Sequence, residues 1–148
     1  MPCPIDPVIQ EQPSGCGIAA CAALAGVSYA ESRRLANGLG IYAEDQALWS
    51  DTEYVTRLLR AQGLEAQAPA PFPGWERLPD RALLAIRWRL ENGRPFWHWV
   101  VFARDAGQAR VLDSKRALKH NVRTDFWRMQ PKWFMAVSAL PIDRQTAR

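Results

Sequence analysis

A cysteine stands where a polar loop gives way to an alanine-rich run, in the stretch Gln10-Glu11-Gln12-Pro13-Ser14-Gly15-Cys16-Gly17-Ile18-Ala19-Ala20-Cys21-Ala22-Ala23-Leu24. The alanines predict a helix and the proline and glycines a loop before it, so Cys16 falls in the first turn, where backbone N–H groups lack intrahelical acceptors. Those amides and the helix dipole favour an anion. A thiol there is expected to ionise more readily than one in apolar surroundings. Gln10, six positions earlier, can fold its carboxamide back toward the same point. The pair offers a nucleophile and a donor for an oxyanion.

A nucleophilic thiol needs a base, and the chain has two histidines, His98 and His120. His98 lies early in the strand-like run Trp97-His98-Trp99-Val100-Val101-Phe102, and Asp105-Ala106-Gly107-Gln108 directly after it is a turn signal. Arg110-Val111-Leu112 then resumes a strand that reaches Asp113. A hairpin centred between Asp105 and Ala106 sets His98 against Asp113, whereas a slip of one residue puts them on opposite faces. Imidazole takes the thiol proton, carboxylate orients the imidazole, and donors receive the oxyanion: this is the logic of covalent acyl transfer. Gln10 Nε2 and the Cys16 backbone N–H are expected to form the oxyanion hole, with Gln12 a rival for Gln10.

The other reactive residues read as structural. Cys21 is five positions on, about 140° around the helix from Cys16, and is expected in the core. Cys3, in a proline-rich terminus, reads as an exposed free thiol, and His120, after Lys119, as a solvent-exposed residue of a basic loop. Asp105 reads as a turn residue. Gly15 and Gly17 are expected to let a substrate backbone approach the thiol. Of seven tryptophans, most are expected in the core and one or two along a substrate groove.

Three helices are expected to come first. One runs from Cys16 to Ala25 and stops at Gly26. Ser28-Tyr29-Ala30-Glu31 is a capping box for a second, to about Asn37, ended by Gly38 and Gly40. Ser50-Asp51-Thr52-Glu53 repeats that signal ahead of Tyr54, Val55, Leu58 and Leu59, with Gly63 as terminator. Pro69, Pro71, Pro73 and Pro79 then punctuate short apolar runs of strand length, at Leu64 to Ala68, Leu83 to Trp88, Trp97 to Arg104, Ala109 to Leu112 and Trp133 to Leu140. Helices followed by strands imply an α+β fold with an antiparallel sheet.

The chain has 148 residues, 48% hydrophobic and 23% charged, which suits one soluble globular domain able to bury about 70% of its unfolded surface. Within it, residues 1–9 read as an N-terminal loop, 10–63 as a helical part with the nucleophile, 64–140 as a sheet part with His98 and Asp113, and 141–148 as a tail. No apolar run reaches the roughly 20 residues of a membrane span. Three cysteines and two histidines at these spacings do not make a zinc site, and no cofactor is implied. The net charge is +4, with basic residues gathered between Arg104 and Arg128, which reads as a solvated face rather than a nucleic-acid surface. Met-Pro-Cys-Pro-Ile-Asp-Pro lacks the order of a secretory signal, so the expected location is the cytoplasm, or outside by a route independent of a signal peptide.

Gln-x5-Cys-Gly before an alanine-rich helix, then His-aromatic-Val-Val, then a strand ending in Asp, resembles the double-glycine leader peptidase domain of bacteriocin-processing transporters, within the papain-like cysteine peptidases. The resemblance spans Gln10 to Asp113 and includes Gly63-Leu64-Glu65-Ala66. It implies a papain-like α+β fold, with a helical subdomain packed on an antiparallel sheet, and a peptide or protein substrate. It also implies Cys16 as nucleophile, His98 as general base, Asp113 as orienter and Gln10, by its six-residue spacing, as oxyanion donor. The chain departs from that pattern at Gly15, where such domains usually have Asp, at Ile18, near which they have Pro, and at Ser114, where Asp-Pro is usual. The implied activity is cleavage of a peptide or amide bond through a thioester. A glutamine deamidase, transglutaminase or isopeptidase acting as an effector or toxin would use the same residues, and a non-catalytic domain that binds leader peptides is a further reading.

Overall fold

The computed structural model describes residues 5–141, so Cys3 lies outside the described residues. Among these residues three α-helices precede an antiparallel sheet of seven strands. The order is α1 (Cys16–Ala25), α2 (Tyr29–Gly38), α3 (Glu53–Ala61), β1 (Leu64–Ala66), β2 (Ala70–Pro71), β3 (Arg81–Glu91), β4 (Arg94–Asp105), β5 (Gln108–Leu112), β6 (Val122–Arg123) and β7 (Trp133–Ala139). No helix among them is long and apolar enough to cross a membrane. The expected α+β class, with its helical part packed on an antiparallel sheet, is the fold observed.

Helix α1 is buried nearly all round, from Cys16 to Leu24. Its five alanines keep it thin, which lets α2 and α3 pack on one side and β4 on the other. It ends where expected, at Gly26, whose φ of 72° needs a residue without Cβ and lets Val27 N–H reach the Ala22 carbonyl. Ser28 caps α2 as expected, its Oγ accepting from Glu31 N–H at 3.1 Å. The cap of α3 differs. Asp51 Oδ1 accepts from Glu53 N–H at 2.8 Å, while Ser50 belongs to a preceding 3-10 turn and donates to the Ala47 carbonyl. A carboxylate two residues before the helix outcompetes the hydroxyl because it is the stronger acceptor and carries the charge the helix start favours.

The sheet runs β1-β7-β3-β4-β5-β6, with β2 also on β7. On its helix side Leu83, Ala85, Trp99, Val101 and Met135 join α1 and α3 in the larger core. On the other, Leu84, Val100, Phe102 and Val111 meet Leu78 and Met129. Trp97, Trp99 and Trp133 stack edge-to-face at 5.0 to 5.8 Å, which fixes the start of β4 by contacts that depend on ring geometry as well as area.

Two elements exceed the expectation. Strands β3 and β4 are a single long hairpin, closed at Asn92-Gly93 with φ of 54° and 75°, the positive values of a type I′ turn. Strands β2 and β6 are two-residue pieces, too short for periodicity to reveal. The β4–β5 register is also shifted. Asp105 faces Gln108, so the centre falls between Ala106 and Gly107, one position later than expected. Such a shift moves partners by two residues, so His98 and Asp113 keep the same face as diagonal rather than opposed neighbours.

Candidate active site

Cys16 is the first residue of α1, so its backbone N–H has no intrahelical carbonyl to reach. Its side chain is 1% exposed and is a hydrogen-bond partner of the His98 imidazole. On its other side the ring is held by Asp113, with His98 Nε2 donating to Oδ1 at 2.7 Å, which leaves Nδ1 for the thiol. The structure therefore brings Cys16, His98 and Asp113 together.

Asp113 is held more thoroughly than the sequence suggested. Its Oδ1 also accepts from Lys115 N–H at 3.0 Å, an Asx turn just past β5, and its Oδ2 accepts from Arg123 Nη1 at 3.0 Å. Arg123 in turn donates through Nε and Nη2 to both oxygens of Asp125, at 3.0 and 2.8 Å. Asn121 Nδ2 closes the loop by donating to the Asp113 and Lys115 carbonyls. Arg123, Asn121 and Asp125 escaped the sequence reading because they are contributed by the short β6 and its flanks, and only their place in the basic segment marked them.

The charges follow from these contacts. Burial disfavours the His98 imidazolium, but the hydrogen bonds with Asp113 and Cys16 outweigh it and raise the group from 6.5 to about 9. Burial likewise pushes Asp113 up, and the His98, Lys115 and Arg123 hydrogen bonds reverse that, bringing it from 3.8 to about 2. Between these limits the site holds an imidazolium against a carboxylate. Cys21, five residues from Cys16, is pushed well above the usual thiol range by burial and by its neighbour Cys16. It donates weakly to the Val55 carbonyl at 3.8 Å and belongs to the core.

Gln10 is placed differently from the expectation. Its Nε2 donates to the Gln12 and Pro13 carbonyls, both at 3.0 Å, so both amide hydrogens are engaged within its own loop. Its Oε1 accepts from Ser114 Oγ at 2.7 Å, and its backbone N–H donates to the Ser114 carbonyl at 3.0 Å. Gln10, 8% exposed, thus ties the loop before Cys16 to the residue after Asp113. The Ser114 hydroxyl that makes this tie is one the Asp-Pro pattern would lack. Gln12 Oε1 accepts from the Tyr29 hydroxyl at 2.5 Å.

Gly15 and Gly17 serve packing rather than substrate approach. A Cβ on Gly17 would run into the Tyr54 ring and hydroxyl, and one on Gly15 into the Tyr29 hydroxyl. These two tyrosines are buried against the helix start. Asp105 is also more than a turn residue, accepting from Arg81 Nη2 at 2.7 Å and lying 3.4 Å from Arg110 Nη2.

A cleft of about 390 Å³ opens at His98, walled by Gln12, Pro13, Trp49, Trp97 and Arg87 among others. Trp49 Nε1 donates to the Pro13 carbonyl at 3.3 Å and packs edge-to-face on Phe96 of β4. Two of the seven tryptophans, Trp49 and Trp97, thus line it, while Trp127 is 78% exposed elsewhere. His120 is exposed, on the wall of a larger cavity of about 820 Å³ that shares Arg87 with the first.

No protein-family model matches the chain, and no curated protein does. Among solved structures, it is similar to a double glycine motif protease from an AMS/PCAT transporter, crystallised in complex with the leader peptide. The two share 15% sequence identity with a TM-score of 0.61 over 92% of each chain. At that identity the likeness is one of architecture: the chain has the papain-like α+β fold of that peptidase domain.

Proposed function

We propose that the protein is a cysteine-dependent hydrolase of peptide or amide bonds, with Cys16 as nucleophile, His98 as general base and acid, and Asp113 as the group that orients the imidazole. The observation that carries this reading is the imidazole held between the Asp113 carboxylate and a sulfur at a helix N-terminus. The Cys16 thiolate attacks the carbonyl carbon, and the oxyanion so formed meets the Cys16 backbone N–H. His98 gives the proton it took from the thiol to the departing amine, leaving a thioester. Water, losing a proton to His98, then attacks the thioester carbonyl and releases the acid, and that proton returns to the sulfur. Gln10 joins the oxyanion hole if its Nε2 exchanges one loop carbonyl for the oxyanion. A peptide substrate, and kinship with double-glycine leader peptidases in particular, draws support from the neighbour that was crystallised with its leader peptide.

The near-complete burial of Cys16 favours a second reading, a domain that binds a peptide without cutting it. Alkylation separates the two. With limiting iodoacetamide at mildly acidic pH, the hydrolase reading expects Cys16 to react well ahead of Cys21 and Cys3, and His98→Ala to slow it by about 100-fold or more. Equal rates, or indifference to His98→Ala, would sink it.

A further inference from the structure

The walls of the cleft at His98 are strongly cationic. Among the described residues, Arg87, Lys115 and Arg116 line it without a carboxylate partner, Arg89 is occupied by Glu91 at 2.9 Å, and Glu11 is the acidic residue on the same wall. The adjoining cavity continues the same sign. Lys119, Arg128 and Lys132 line it, Asp125 there is already bonded by Arg123, and Lys132 Nζ sits 4.6 Å from the Trp88 ring centroid.

Arg87 belongs to both cavities because of a fault in the sheet. Ile86 pairs with His98 and Arg89 with Phe96, so Arg87 and Trp88 together face Trp97 alone. This is a β-bulge, and Arg87 within it takes a φ of 54°. A left-handed backbone at a residue with a long side chain is strained and persists where the surrounding structure fixes it. Here it redirects a guanidinium into the junction of the two cavities, next to the partner strand's His98. The hairpin arm beyond the bulge leaves the sheet. Strand β7 accompanies β3 only along Ala82 to Ala85, and β5 accompanies β4 only from Val101 onward, so the arm extends past both neighbouring strands and forms one wall of the cleft.

Gathering unpaired cations around a cleft opposes folding by self-repulsion, and an anionic occupant relieves it. We infer that the site takes an acidic peptide segment, its carboxylates meeting Arg87, Lys115 and Arg116 beside the reacting carbonyl and the cations of the adjoining cavity further along the chain. This rests on the hydrolase reading for what happens at Cys16, and it adds the substrate class. A peptide fits better than a nucleic acid because the cations share the cleft with the His98 imidazole, the group that serves a carbonyl in the proposed reaction, and because guanidinium groups bind carboxylates through two parallel hydrogen bonds.

Binding of fluorescein-labelled decapeptides to the Cys16→Ser protein, read by anisotropy, tests the inference without any turnover. A Glu/Asp-rich peptide is expected to bind about tenfold tighter than its Gln/Asn counterpart at low ionic strength, the advantage shrinking as salt is added. The R87Q/R116Q double variant, at two exposed positions, should lose most of that advantage. Equal binding of the two peptides overturns the inference, as does displacement of the acidic peptide by a single-stranded oligonucleotide of the same charge at lower concentration. Thiol reagents give an independent measure. The ratio of iodoacetate to iodoacetamide rates at Cys16 should fall about three- to tenfold in R87Q/R116Q, since only the first reagent is an anion; an unchanged ratio counts against the cationic cleft. If neither reagent prefers Cys16, the hydrolase reading fails, and peptide binding still decides this one.

Discussion

The orientation of one imidazole is the fact on which the chemistry depends. Asp113 holds Nε2 of His98, and Arg123 and Lys115 N–H hold Asp113, so the ring presents its remaining nitrogen to Cys16 in one pose. Asp113→Asn is nearly the same size but carries no charge and can place its NH2 toward the ring. It is expected to slow Cys16 alkylation by about 100-fold or more while leaving the circular dichroism spectrum intact. Arg123→Gln acts one step further out. It removes a charged bond to the buried carboxylate and is expected to cost about 2 kcal/mol in urea unfolding, with the acid limit of stability moving to higher pH.

At the scale of elements, the start of α1 is fixed by two tyrosines and a loop. Gly17 lies against the buried ring and hydroxyl of Tyr54. Gly17→Ala is expected to destabilise the fold by about 1 to 3 kcal/mol through overpacking. Tyr54→Phe, which removes the hydroxyl at the nearest approach, should recover part of that loss in the double variant. Chemical unfolding of the four proteins in the cycle measures this. Gln10 works at the same scale, because its bonds to Ser114 and to Gln12 and Pro13 join the loop before α1 to the end of β5. Gln10→Ala is therefore expected to lower stability by about 1 to 3 kcal/mol as well as slowing turnover, whereas a pure oxyanion donor would affect turnover alone.

For the whole molecule, the buried pair couples folding to pH. His98 keeps its proton to about 9 when folded against an ordinary 6.5, so its contribution is fully present below pH 6.5 and is lost as pH rises toward 9. Asp113 falls from 3.8 to about 2, so its contribution is present above pH 3.8 and is lost as pH falls toward 2. The urea midpoint is expected to be highest between about pH 4 and 6.5, with the two limbs reporting one shared interaction on the order of 2 kcal/mol. His98→Ala should flatten the alkaline limb. In the proposed hydrolysis, the His98 imidazolium that would protonate the leaving amine is lost above about pH 9, so the rate profile is expected to fall there.

Local chemistry made the helices legible from the sequence. Alanines followed by Gly26 set α1 to the residue, and the pairing of Ser28 with Glu31 set the start of α2, because capping and propensity act over three or four neighbours. Parity also carried His98 and Asp113 to one face, since a hairpin shifted by a whole position keeps its alternation. Other features belong only to the folded chain. Arg123 meets Asp113 from a two-residue strand, Gln10 meets Ser114 across a span of 104 positions, and Arg87 enters the cleft through a bulge set by pairing with β4. Periodicity registers neighbours along one strand. Which distant polar groups come within hydrogen-bond reach is decided by packing, and in this protein those contacts are what hold the candidate site in place.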